Sequence, residues 1–156
     1  ARIEYLYKPY HRALRRLIAS VQKRFGVAVL IDCHSMPSIG HAQEAERRPD
    51  LVIGDRYGTS CAPELTGMIE DFFTARHYAV KRNKPYAGGF ITEHYGTPLS
   101  GIHALQLEFN RALYMDEQTH MRAPSLPRVA QDVRDLADAL ATFMTAMPAP
   151  YQNAAE

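Results

Sequence analysis

Val27-Ala28-Val29-Leu30-Ile31-Asp32-Cys33-His34-Ser35 is the stretch that decides how this chain folds. Five apolar residues, four of them branched, stop abruptly at a polar cluster. An uninterrupted run of this kind reads as a strand buried inside an α/β sheet. Such sheets bind their ligands beyond the carboxyl ends of their strands. His34, with Asp32 two residues before it, therefore stands where chemistry concentrates. A histidine packed at a strand end for stability reads the same way in isolation, so the decision rests on what surrounds it.

Upstream, Leu6, Tyr10, Leu14, Leu17, Ile18, Val21 and Phe25 recur at helical spacing and end at Gly26, a natural C-terminal stop. Pro9 belongs in the first turn or kinks the helix, and Arg12, Arg15, Arg16, Lys23 and Arg24 read as a solvated face. Downstream, 35–49 has no periodicity and reads as a long loop, the kind that is often functional. Leu51 to Asp55 reads as a second strand, followed by a turn at 56–60 and a helix. Ser60 or Thr59 is placed to cap that helix, with Pro63 and Glu64 in its first turn and Leu65, Met68, Ile69, Phe72 and Phe73 as its buried stripe. Tyr78 to Arg82 reads as a strand and 83–89 as a loop whose Gly88 and Gly89 permit close approaches. Residues 90–95 fit either a helix start or a short strand. His103 to Phe109 reads as a strand, and Val129 to Met144 as a last helix with Ser125 as cap and Pro127 in its first turn. The tail from Pro148 reads as frayed. The pattern is α/β: one domain over 1–156, with a mixed, mainly parallel sheet flanked by helices.

Composition narrows the function classes. The 156 residues are 46% hydrophobic and 22% charged, an ordinary globular balance. A net charge of +1 argues against a nucleic-acid partner held by phosphate contacts. No apolar stretch is long enough for a membrane span, and the polar opening residues do not read as a signal peptide. Two cysteines, Cys33 and Cys61, make no disulfide framework and fit a reducing cytoplasm; a bridge between them stays open.

Acids and bases collect at the strand ends. Glu108 lies inside Leu105-Gln106-Leu107-Glu108-Phe109, and an ionised group there is costly unless paired. It is either one half of an ion pair with an arginine such as Arg111, or a general acid or base whose pKa burial has raised. His34 is a candidate metal ligand, with Asp32 as the carboxylate that orients it. One histidine is not a metal site, because catalytic zinc takes three protein ligands. Of the other histidines, His11 and His77 read as surface residues, His41 as a loop residue able to reach a metal, and His94 and His103 as neighbours of a pocket. A Cys33–His34 or Ser35–His34 nucleophile pair is disfavoured, since adjacent strand residues point to opposite faces.

These segments together form a familiar order. Asp32-Cys33-His34-Ser35-Met36-Pro37-Ser38, Asp55-Arg56-Tyr57-Gly58, 83–96, His103 to Arg111 and Tyr114-Met115-Asp116-Glu117 resemble the N-formylglutamate amidohydrolase family. That family is similar to the zinc carboxypeptidases and aspartoacylases, so the resemblance implies a zinc-exopeptidase-like fold of the phosphorylase/hydrolase kind. It implies hydrolysis of N-formylglutamate or a related N-acyl amino acid, in cytoplasmic amino-acid metabolism such as histidine catabolism. His34 matches the zinc-binding histidine and Glu108 the general base acting on a metal-bound water. Arg56 and Arg111 are candidates to read the substrate carboxylate, with Asn83, Gly88 and Gly89 lining the same pocket. The family's remaining ligands lie in an earlier Pro-His-Ser-Gly-like segment, so the chain is expected to be the C-terminal portion of a catalytic domain. Glu93 stands where an arginine is expected, which puts the dicarboxylate substrate in question. The rival readings are a non-catalytic ligand-binding or interaction module of the same fold, and a homo-oligomer formed through exposed apolar surface.

Overall fold

The computed structural model describes residues 1–39 and 48–146. His41 and the tail from Pro148 lie outside them. Strands β1 (Ala28–Met36) and β4 (Ile102–Asn110) run parallel, with Ala28 opposite Ile102 and Met36 opposite Asn110. β2 (Leu51–Gly54) is antiparallel to the other edge of β4, and β3 (Val80–Arg82) is parallel to β2. The sheet order is β1-β4-β2-β3. The mixed sheet flanked by helices is thus as expected, with two parallel pairs joined through one antiparallel pair.

β1 does not stop at Ile31. It continues through Asp32, Cys33, His34 and Ser35 because β4 pairs with it along its whole length. Alternation sends Asp32 and His34 to one face of the sheet and Ile31 and Cys33 to the other. The fourth strand likewise runs one residue beyond the expected range at each end.

The two faces differ in character. On one, Leu105, Leu107 and Phe109 of β4 and Leu51 and Ile53 of β2 pack under helices α2 (Pro63–Thr74) and α4 (Leu126–Ala146). Phe73, Leu65 and Ile69 of α2 are fully buried there. On the other face, α1 (Lys8–Phe25) and α3 (Phe90–Tyr95) cover only the N-terminal halves of β1 and β4. Ile18, Leu14, Ile91 and Tyr95 pack on Ala28, Leu30 and Ile102. The C-terminal halves of the same two strands carry Asp32, His34, Gln106 and Glu108 on that face. The sheet is thus apolar where helices cover it and polar where they do not.

Several local expectations change. Residues 90–95 form helix α3. α1 begins with Pro9 in its first turn and ends at Gly26 in the left-handed region, φ 77°, as expected. It meets the sheet with Leu14 and Ile18 and meets α3 with His11, whereas Tyr10, Leu17, Val21 and Phe25, and Leu6 just before the helix, are exposed. The apolar stripe is wider than the surface it covers. His11 is therefore not a surface residue: it is buried, its Nδ1 2.6 Å from the Tyr95 hydroxyl. Ser125 immediately precedes α4 and its carbonyl accepts from the Val129 N–H, while its hydroxyl donates to the Leu113 carbonyl. Cys33 is exposed, Cys61 is buried, and both are free thiols, which closes the question of a bridge.

His103 is another correction, since it belongs to the core rather than to a pocket. It is buried on the α2 face, and its Nδ1 accepts from the backbone N–H of Ala62, the residue that precedes α2. Neither Ser60 nor Thr59 caps that helix; the imidazole takes one of its opening donors instead. An accepting nitrogen must be unprotonated, and burial holds the His103 pKa below its ordinary 6.5. The unfolded chain then binds the proton more readily than the folded one. The contribution of His103 is complete above pH 6.5 and is lost as pH falls below that value toward the folded pKa. We expect His103→Gln to flatten the fall in stability between neutral and mildly acidic pH, measured by denaturant unfolding at several pH values.

Candidate active site

The site is built on the β1–β4 pair. His34 and Glu108 are register partners, so their side chains leave the same face of the sheet. His34 Nδ1 lies 3.8 Å from Glu108 Oε1, and His34 Nε2 lies 3.1 Å from Asp32 Oδ2. The imidazole is thus held by one carboxylate and turned toward another. Glu108 is 6% exposed, while His34 opens to solvent. Burial, aided by the charge of Asp32, raises the Glu108 pKa above its ordinary value; His34, a hydrogen bond from Gln106 and Arg111 draw it back down. A buried carboxyl with a raised pKa is suited to exchange protons near neutrality.

Gln106, which the sequence reading passed over, completes this row. Its Nε2 donates to Glu108 Oε1 at 2.6 Å and its Oε1 accepts from the Gly89 N–H at 2.9 Å. A polar residue two positions before Glu108, in a strand of leucines, was the available signal.

The loop before α3 forms the adjoining wall. Gly54 of β2 lets it lie flat on the sheet: a Cβ there would sit 2.5 Å from Gly88 N and 2.7 Å from the Ala87 carbonyl carbon. Gly88 adopts φ 109°, a conformation that side chains disfavour. Because both clashing atoms are backbone, Gly54→Ala must displace the loop. We expect it to cost about 1–3 kcal/mol, as overpacking does, measured by denaturant unfolding.

Arg56 projects from the end of β2 across this loop. Its Nη1 donates to the Gly88 carbonyl at 3.4 Å, and its Nη2 pairs with Glu93 at 3.2 Å. Arg56 and Tyr57 occupy the left-handed region at φ 54° and 57°. Such backbone costs of order 1–3 kcal/mol per residue and persists only where its surroundings impose it. Asp55 and Asn83 impose it. The Asn83 amide donates to Asp55 Oδ1 at 2.8 Å, and its oxygen accepts from the N–H groups of Asp55 and Tyr57 at 3.1 and 3.4 Å. Asn83 thus engages the turn that aims Arg56.

Arg111 follows β4. Its Nε lies 3.5 Å from the Ser35 hydroxyl and its Nη1 4.0 Å from Glu117. Glu117 accepts from the backbone N–H and the hydroxyl of Ser38, and the latter bond chiefly holds its pKa down. His94 is not drawn to this site; it stacks on Phe90 at 4.9 Å, beside His11. The donor chemistry of His34 suits one position of a metal site, an imidazole whose second nitrogen meets a carboxylate. Among the described residues, no group of three or more histidine, cysteine or acidic side chains is arranged to hold an ion.

Known proteins share the sequence and the fold of this chain. Residues 1–115 match the family model described as N-formylglutamate amidohydrolase. The chain is 36% identical over 146 residues to an N-formylglutamate deformylase of Pseudomonas aeruginosa, covering 89% of this chain and 54% of that protein. It is 38% identical over 117 residues to an N-formylglutamate deformylase of Pseudomonas putida, covering 74% and 43% respectively. The crystal structure of an N-formylglutamate amidohydrolase from Ralstonia eutropha JMP134 superposes with a TM-score of 0.86 at 32% identity, covering 92% of this chain and 53% of that one. The chain therefore spans about half the length of the relatives it matches. On the match of its sequence and its fold, this chain belongs to the N-formylglutamate amidohydrolase family.

Proposed function

We propose that the protein containing this chain hydrolyses the amide of N-formylglutamate or a closely related N-acyl amino acid. The observation that carries the reading is the meeting of His34 and Glu108 across β1 and β4, 3.8 Å apart at the polar end of the sheet face. Relatives named N-formylglutamate deformylase supply the substrate class. Glu108 takes a proton from the attacking water as its oxygen bonds to the acyl carbon, and returns it to the nitrogen as the carbon–nitrogen bond breaks. Formate and the free amino acid result. Arg56 and Arg111 bind the substrate's carboxylates, with Glu93 occupying one edge of the Arg56 guanidinium. His34, oriented by Asp32, would supply one ligand to a divalent metal, zinc by the resemblance, and the remaining ligands would have to come from outside the described residues. Such an ion, when bound, polarises the carbonyl and acidifies water.

The test is release of formate and glutamate by the complete protein from N-formylglutamate, compared with N-formyl amino acids that lack the side-chain carboxylate. Turnover supports the enzyme reading. Binding without turnover makes the chain part of a ligand-binding module instead. Separately, Arg56→Lys keeps the charge and loses the planar fork, so we expect KM to rise about tenfold or more while kcat changes less, measured by steady-state kinetics.

A further inference from the structure

We infer that Gln106 is the positioning residue of this site: it fixes the carboxylate of Glu108 and ties it to the loop wall at Gly89. The inference rests on the proposed reading of Glu108 as the base. Gln106 is 4% exposed, and both ends of its amide are engaged. Its orientation admits no alternative. The Gly89 N–H requires an oxygen and the Glu108 carboxylate requires an N–H, so a flipped amide would lose both bonds. Gln106 and Glu108 are two apart on β4 and leave the same face, which brings their tips together.

The bond to Glu108 has a specific consequence. Gln106 Nε2 and His34 Nδ1 both meet the same carboxylate oxygen, Oε1. That oxygen is pinned, and the carboxyl plane with it. Oε2 is then the oxygen that faces the substrate water and exchanges its proton. The other end of the amide makes the base sensitive to the loop. Gly89 opens α3 and follows Gly88, whose carbonyl Arg56 grips. A substrate carboxylate that draws on Arg56 therefore pulls on a chain of contacts, Arg56 to Gly88–Gly89 to Gln106, that ends on the base. Binding at one end and proton transfer at the other share one rigid support.

A double-mutant cycle in the complete protein tests this, with N-formylglutamate as substrate. Gln106→Met keeps the volume and removes both bonds; Gln106→Glu keeps an acceptor for Gly89 and removes the donor to Glu108. Each is expected to lower kcat about 10- to 100-fold, the scale of a misplaced catalytic group, with KM changed less than about threefold in Gln106→Glu. In a Glu108→Gln background the same changes are expected to cost less than about threefold, because the group they position is gone. Equal losses in both backgrounds overturn the inference and leave Gln106 a packing residue. Unchanged kcat in both Gln106 variants overturns it too. If Glu108→Gln itself retains wild-type turnover, the reading of Glu108 fails, which is a separate outcome. Melting temperatures of the single variants identify any that do not fold, and one folded variant is enough to decide.

Discussion

Glu108→Gln in the complete protein is expected to lower kcat by about 10²- to 10⁴-fold, the span that a positioned acid–base group contributes. The change keeps the shape of the side chain and removes only its capacity to take a proton. Stability should move the other way. Burial raises the folded-state pKa of Glu108 above its ordinary 4.5, so the folded state binds that proton more readily than the unfolded chain. Such a group favours the folded state while protonated, and that advantage is lost as pH rises from 4.5 through the folded value. The neutral amide has no charge to bury at any pH, so it does not share that loss. Thermal unfolding at pH 7 should show the variant as stable as the parent or more so, while turnover collapses. A variant that loses activity and stability together would instead mark Glu108 as structural.

His34→Ala carries the second large effect. The imidazole is the proposed metal ligand, with Asp32 Oδ2 3.1 Å from its Nε2. Removing an orienting carboxylate commonly costs 10- to 100-fold in metal affinity or activity, so Asp32→Ala is expected in about that range. Removing the ligand itself should exceed it. Metal content measured on purified protein, with competitive chelation to rank affinities, should order wild type above Asp32→Ala and both above His34→Ala. Equal zinc content in all three would remove His34 from the coordination sphere.

The parts of this molecule that its residues announce are those with a strong local signal. Val27 to Ile31 is apolar enough to read as a buried strand, and Ala28 to Ile31 does form part of one. But β1 is the edge strand of the described sheet, and of these five residues only Ala28 is buried, the rest half-buried. Leu105 to Phe109 reads as a strand with a polar residue that needs a reason to be there. Gly26 stops α1 because its left-handed backbone suits glycine. What could not be read locally depends on pairing. β1 reaches Met36 only because β4 runs beside it, and no periodicity within Asp32 to Ser35 reports that partner. The same register brings His34 to Glu108. His11 and His103 read as an exposed residue and a pocket residue because a single imidazole gives no hint of what will cover it. Tyr95 and the Ala62 N–H, both distant in sequence, complete their hydrogen bonds. Gln106 escaped notice for a related reason: a glutamine in a strand is unremarkable until Gly89 folds down onto it, which Gly54 permits.

The most direct test is a crystal structure of the complete protein, as its Glu108→Gln variant, grown with N-formylglutamate and divalent metal. The formyl carbon is expected between His34 and position 108, with a water about 3–3.5 Å from that carbon and within reach of the side chain at 108. Substrate bound elsewhere, with neither His34 nor position 108 near its amide, would contradict it.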